Sequence, residues 1–163
     1  MFRSSAPAVL SARRCDVLQD KAVLPAKLQE VVDEFADLPR DLRIEALLDY
    51  SRMVPPLPPH IDADALERVH ECQTPFFVAA EVGEDEAVTL HFDAPPEAPT
   101  TRGFAGILSV GLSGARAGDI LATPEDFYTR MGLADAISPL RLRGMSAILA
   151  RVKRQIRVQL AAA

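Results

Sequence analysis

The chain has 163 residues, of which 48% are hydrophobic and 25% charged, and a net charge of −5. Those values fit one globular domain long enough to bury a substantial core. The acidic balance argues against nucleic acid as partner, since phosphate neutralisation needs clustered Lys and Arg, and no apolar run reaches the roughly 18–20 residues that cross a membrane.

Residues 1–22 show no sustained periodicity and read as a mobile arm ahead of a single domain over residues 23–160. Arg3, Arg13 and Arg14 with Ser4, Ser5 and Ser11 faintly resemble an organellar transit segment, but Asp16 and Asp20 soon end the acid-free stretch and favour a plain leader. From Pro25, Leu28, Val31, Val32 and Phe35 recur at helical spacing, with Lys27, Glu30, Asp33 and Glu34 on the other face. Leu38-Pro39 ends that helix, and a second follows over residues 40–53 with Leu42, Ala46, Leu47 and Tyr50 on one side. Pro55-Pro56-Leu57-Pro58-Pro59 supplies few amide donors and predicts an extended connector, with Leu57 packing down. A proline-rich docking motif is the sharper and less favoured reading of that stretch.

The next apolar runs, residues 76–82 and 87–92, flank Gly83-Glu84-Asp85-Glu86 and predict an antiparallel hairpin. Alternation puts Val78, Ala80 and Val82 on one face, matched by Val88, Leu90 and Phe92. Pro95, Pro96 and Pro99 then break the chain. Residues 100–113 read as a helix despite Gly103, Gly106 and Gly111, each costing about 1 kcal/mol relative to alanine. Small residues interleaved with Phe104, Ile107, Leu108 and Leu112 predict a buried helix whose backbone closely approaches its neighbours. Residues 117–122 read as a short turn, and Thr123-Pro124-Glu125-Asp126 as the N-cap and first turn of another helix. Ser138-Pro139 opens a last helix with Leu142, Met145, Leu149, Val152 and Ile156 as its apolar stripe. Helices, a hairpin, then helices predict an α+β fold, with a small antiparallel β-sheet at about residues 76–92 packed against several helices.

The candidate for chemistry is Cys72, in Glu71-Cys72-Gln73-Thr74 where a polar stretch meets an apolar strand. Cys15 and Cys72 are the two cysteines of the chain. They make neither a disulfide framework nor a CxxC motif, and they fit a reducing compartment, here the cytoplasm. Taken alone, a cysteine beside aromatic residues is more often a small buried hydrophobe than a nucleophile. Its polar neighbours His70, Glu71, Gln73 and Thr74 instead place the thiol on a loop, and the residues alone leave both readings open. A reactive thiolate needs nearby positive charge or amide donors, and in sequence only Arg68 and His70 are close.

Other chemistries are poorly supported. His60, His70 and His91 accompany no recognisable nucleophile motif, a zinc or iron–sulfur site would want three or four ligands around Cys72, and no P-loop or GxGxxG pattern occurs. No metal or cofactor is therefore expected on this chain. After Asp135 the acids stop, while Arg141, Arg143, Arg151, Lys153, Arg154 and Arg157 accumulate. A helix C-terminus explains much of that run, but Arg141 and Arg143 lie near the helix start and ask for a carboxylate or an acidic partner.

With these segments in order, the chain resembles the SufE family, acceptors of persulfide sulfur from a cysteine desulfurase in iron–sulfur cluster assembly. Residues 47–51 followed by Pro55-Pro56-Leu57-Pro58 look like its helix and proline-leucine connector. Cys72-Gln73-Thr74 looks like its Cys-Gln-Ser signature, and Thr101-Arg102-Gly103-Phe104 like its basic-Gly helix start. Residues 124–133 and Ser138-Pro139-Leu140-Arg141-Leu142-Arg143-Gly144-Met145 resemble its closing motifs, so the likeness covers residues 25–157.

The resemblance implies a SufE/IscU-like fold and Cys72 as persulfide acceptor, with Gln73, Thr74, Arg102 and Arg141 shaping its environment or docking a partner. It implies an accessory protein rather than a stand-alone enzyme. The desulfurase would carry the pyridoxal phosphate, and an iron–sulfur scaffold would receive the sulfur. Two alternatives accompany it: a rhodanese-type sulfurtransferase serving the same thiol, and a non-catalytic adaptor binding through residues 141–157. Glu71 stands where many members have glycine, and its carboxylate is expected to raise the Cys72 pKa.

Overall fold

The computed structural model describes residues 23–163; the predicted arm and Cys15 lie outside them. Helix α1 (Ala26–Asp37) buries Leu28, Val31, Val32 and Phe35, the stripe its spacing predicts. Helix α2 (Arg40–Ser51) buries Leu47 and Tyr50. Leu42, expected on the same side, is 42% exposed, because it lies in the first turn, ahead of the Leu47–Tyr50 stretch that meets the next helix.

That next helix, α3 (Pro99–Leu112), is the centre of the helical layer, and its glycines explain its position. A Cβ at Gly106 would stand 1.9 Å from the Tyr50 carbonyl oxygen, and one at Gly103 would stand 2.5 Å from that of Leu47. No side chain fits there, so α2 crosses α3 almost backbone to backbone. The lost helix propensity is offset by burial of Phe104, Ile107, Leu108 and Leu112.

The sheet is three-stranded and antiparallel, in the order β1 (Glu67–Arg68), β2 (Phe77–Val82), β3 (Val88–Asp93). Register pairs Val78 with Phe92, Ala80 with Leu90 and Val82 with Val88, so the predicted core face forms as one surface. The two-residue β1 is absent from the sequence reading, being too short to leave a periodicity. It covers the edge of β2 only at Phe77 and Val78.

The last helix, α5 (Pro139–Ala162), covers more of that edge. Ala80 N donates to Gln155 Oε1 (2.8 Å) and Val82 N to Gln159 Oε1 (3.0 Å). The Nε2 groups of the same two glutamines donate back, Gln155 to Val78 O (3.2 Å) and Gln159 to Ala80 O (2.6 Å). Glutamines one helical turn apart thus satisfy main-chain groups that a longer β1 would have paired. On its other side α5 buries Met145, Ile148, Leu149, Val152 and Ile156.

Residues 117–122 form a short helix, α4 (Ala117–Ala122), where a turn was expected. The predicted N-cap at Thr123 is also corrected: its hydroxyl turns back to donate to Asp119 O (2.9 Å) and closes α4. No α-helix begins at Pro124. Two 3₁₀ segments, Phe127–Met131 and Leu133–Asp135, turn about Gly132 at φ 68° instead. The architecture is the expected α+β, with α3 and α5 packed on the small sheet. No helix among the described residues is long and apolar enough to cross a membrane.

Candidate functional site

Residues 70–75 close the loop between β1 and β2. Val69 N donates to Phe76 O (2.8 Å) and Cys72 N to Val69 O (3.2 Å), while the Val69 and Phe76 side chains are fully buried and anchor both ends. Cys72 sits half-buried on this loop as a free thiol. Beneath it is Gly144 of α5, where an added Cβ would stand 3.4 Å from the sulfur. The closing motif therefore has a physical role in its glycine, which gives the thiol a flat floor.

The thiol opens on a cleft of about 240 Å³ built where three elements begin or turn. The loop contributes Cys72, Gln73 and Thr74, the start of α3 contributes Pro99 and Phe104, and the start of α5 contributes Leu140 and Arg141. Three of the sequence-predicted residues are thus brought together with Cys72. Thr74 Oγ1 is buried with no hydrogen-bond partner among the described residues. Arg141 is exposed and forms no hydrogen bond or ion pair among them.

Arg102 goes elsewhere. Its Nε donates to Ser51 O (3.0 Å) and its Nη1 to Ala94 O (2.6 Å), which ties the end of α2 and the exit of β3 to the start of α3. It positions the α3 wall and does not line the cleft.

Burial pushes the Cys72 thiol up from 9.0 to about 11; the Glu71 carboxylate adds to the rise and the Arg151 guanidinium opposes it. The effect expected of Glu71 is present, second to burial. Arg151 holds that carboxylate at 2.9 Å, donates to Arg68 O at 3.1 Å and stands 3.4 Å from Glu67. The sequence reading placed Arg151 only within a basic run. Its pairing with a residue 80 positions away carries no local signal.

The structure also divides that run. Arg151 and Arg154 pair with Glu67, and Lys153, itself buried, lies 3.8 Å from Glu125. Much of the basic charge is therefore matched by the protein's own carboxylates, while Arg141 and Arg143 stay exposed at the cleft end of α5.

The family model described as "SufE: Fe-S metabolism associated domain" matches residues 29–156. The chain belongs to the SufE family. An uncharacterised SufE-like protein of Mycobacterium tuberculosis is 54% identical over 136 residues, 83% of this chain and 95% of that protein. The chloroplastic/mitochondrial SufE-like protein 1 of Arabidopsis thaliana is 31% identical over 129 residues, 78% of this chain and 34% of that longer protein. A solution structure of a hypothetical protein from Thermus thermophilus matches with a TM-score of 0.77 and 46% identity, covering 85% of this chain and 99% of that one. A general role in sulfur transfer for iron–sulfur assembly accompanies SufE membership. The span matched to SufE includes the Cys72 loop and both walls of its cleft.

Proposed function

We propose that Cys72 accepts sulfur from the persulfide of a cysteine desulfurase, stimulates that enzyme by relieving it of product, and passes the sulfur to an iron–sulfur scaffold in the cytoplasm. The observation that carries this reading is a half-buried thiol at a cleft whose rim presents Arg141, which pairs with no group among the described residues. In the transfer step the Cys72 thiolate attacks the outer sulfur of the donor. A new S–S bond forms as the donor's S–S bond breaks, and the bonding pair leaves on the donor thiolate. Cys72 ends as a persulfide with no external oxidant or reductant. The pyridoxal phosphate that frees sulfur from cysteine is assigned to the desulfurase.

With a pKa of about 11, Cys72 is a neutral thiol at neutral pH and is protected from casual oxidation. Ionisation is assigned to the docked complex, where the partner's amides or cations meet a thiol lifted off Gly144. The Thr74 hydroxyl, which has no hydrogen-bond partner among the described residues, is available to donate to an anion held in the cleft.

Incubation with desulfurase and cysteine, followed by intact mass, tests the proposal. One reducible sulfur adduct is expected on Cys72 and none on a folded Cys72→Ser variant. An adduct formed solely from a rhodanese-type donor would transfer the role to that donor, and no adduct from either would overturn the reading. Stimulation that survives Cys72→Ser but is lost in Arg141→Glu would favour the adaptor alternative.

A further inference from the structure

On the face of the sheet opposite the core, Glu81 of β2 and His91 of β3 are diagonal neighbours, since Ala79 pairs with His91 and Glu81 with Thr89. The connector that follows α2 brings His60 onto this face. His60 Nε2 lies 3.0 and 3.1 Å from the two Glu81 oxygens, and His91 Nε2 lies 2.6 Å from Oε2. The two imidazoles meet edge to face at 5.9 Å. Three chain segments therefore deliver two imidazoles and one carboxylate to a single point, with one ligand atom from each lying within 4.8 Å of the others. We propose that His60, Glu81 and His91 form a zinc site that clips the proline-rich connector to the outer face of the sheet.

The three groups lie within side-chain movement of a metal-binding geometry. Ligand atoms bound to tetrahedral zinc at roughly 2.0–2.1 Å stand about 3.4 Å apart. The His60–Glu81 pair opens by about 0.4 Å and the His91–Glu81 pair by about 0.8 Å to reach that spacing, and the two accessible groups, the His60 ring (61%) and the Glu81 carboxylate (42%), supply the adjustment. The His91 side chain is 9% accessible and already held in place. Two nitrogens and one carboxylate oxygen suit zinc, while magnesium and calcium prefer all-oxygen shells. Three protein ligands leave the fourth position to water.

The proton balance is simple. Each neutral imidazole that donates from Nε2 shifts its proton to Nδ1 and binds through Nε2, and a protonated imidazole releases one proton to solvent. The carboxylate needs no proton loss near neutral pH, and the His60 hydrogen bond, helped by His91, holds Glu81 below the usual range against the effect of burial. The site is independent of Cys72, so the sulfur-transfer reading and this one fail separately.

The test uses the full chain carrying Cys15→Ser and Cys72→Ser, so that thiols do not compete, with zinc alone as the probe. Titration against a chromogenic chelator is expected to give one zinc per chain, and His60→Ala to weaken binding by roughly a hundredfold or more, beyond the loss typical of an outer-shell partner. Because His60 is exposed, that variant is expected to keep the metal-free melting temperature. Zinc at a hundredfold excess over its Kd should raise the parent's Tm by roughly 5–10 °C and magnesium should not. His70→Ala, on the exposed Cys72 loop, should retain binding. Stoichiometry well below one, or equal zinc affinity in the parent and His60→Ala, would reduce the cluster to a hydrogen-bonded trio and overturn the proposal.

Discussion

Glu71→Gln isolates the electrostatic control of Cys72. The substitution keeps the shape of the side chain, removes its charge and leaves the Arg151 guanidinium without that partner. The thiol rises from 9.0 to about 11 with burial as the largest cause and Glu71 next, while Arg151 lowers it. Removing a negative charge favours the thiolate, so the pKa falls; burial remains, so a fall of roughly one unit is expected rather than full relaxation. Well below the pKa, one unit gives about ten times more thiolate, but a Brønsted slope of ~0.45 makes that thiolate roughly threefold less nucleophilic. The net gain in alkylation rate near pH 8 is therefore about three- to fourfold. Iodoacetamide labelling followed by mass spectrometry across about pH 7.5–11.5 reads both the rate and the inflection. Arg151→Gln is expected to move the inflection the other way. An inflection that stays put in Glu71→Gln, or a parent inflection at or below 9.0, would refute the assignment of burial and Glu71 as the causes.

The same substitution at two glycines should have opposite signs. Gly→Ala gains up to about 1 kcal/mol of helix propensity at either site. At Gly106 the new Cβ meets Tyr50 backbone at 1.9 Å, whereas at Gly144 it meets the Cys72 sulfur at 3.4 Å. Overpacking of about 1–3 kcal/mol or more should make Gly106→Ala a net loss, with Gly144→Ala neutral or stabilising in urea unfolding; equal signs would contradict the close crossing of α2 and α3. Alkaline stability offers a separate check. A folded pKa above the unfolded one contributes stability that is present below pH 9.0 and lost as pH rises through about 11. Cys72→Ser should lack this alkaline loss, roughly 1 kcal/mol after allowance for partial exposure, and parallel melting curves over that window would exclude it.

The sequence made the long elements visible because their periodicity reports burial directly. The stripes of α1 and α5, the alternation of β3 and the glycine texture of α3 match the observed burial, whereas in β2 Ala79 is buried as well as Val78 and Ala80. Short or turned-back elements escaped. β1 has two residues, and Thr123 resembles an N-cap by type although its hydroxyl faces the helix behind it. Cys72 as the candidate for chemistry was legible through a family resemblance carried by ordered motifs, whereas the cleft beside it, assembled from three elements, was not. The electrostatics of the thiol were half legible: Glu71 is adjacent to Cys72, but Arg151 arrives through tertiary packing. Arg102 sits in a motif yet serves backbone carbonyls, because a motif marks a position without specifying which way the side chain turns. Period-two alternation places Glu81 and His91 on one face, while nothing local announces that the connector returns His60 to meet them.

The glutamine contacts between α5 and β2 complete a short mechanical circuit. Strand β2 leads back through the loop to Cys72, Cys72 rests on Gly144, α5 runs to Gln155 and Gln159, and these return to the same strand. The thiol and its floor are thus referenced to one datum, and small displacements elsewhere do not accumulate between them. Sliding α5 along its axis would break four hydrogen bonds to main chain, whereas lifting the loop disturbs mainly the 3.2 Å turn contact at Cys72 N and the Arg151–Glu71 pair. The thiol is therefore held between a stiff side, α5, and a more lightly tied side, the loop.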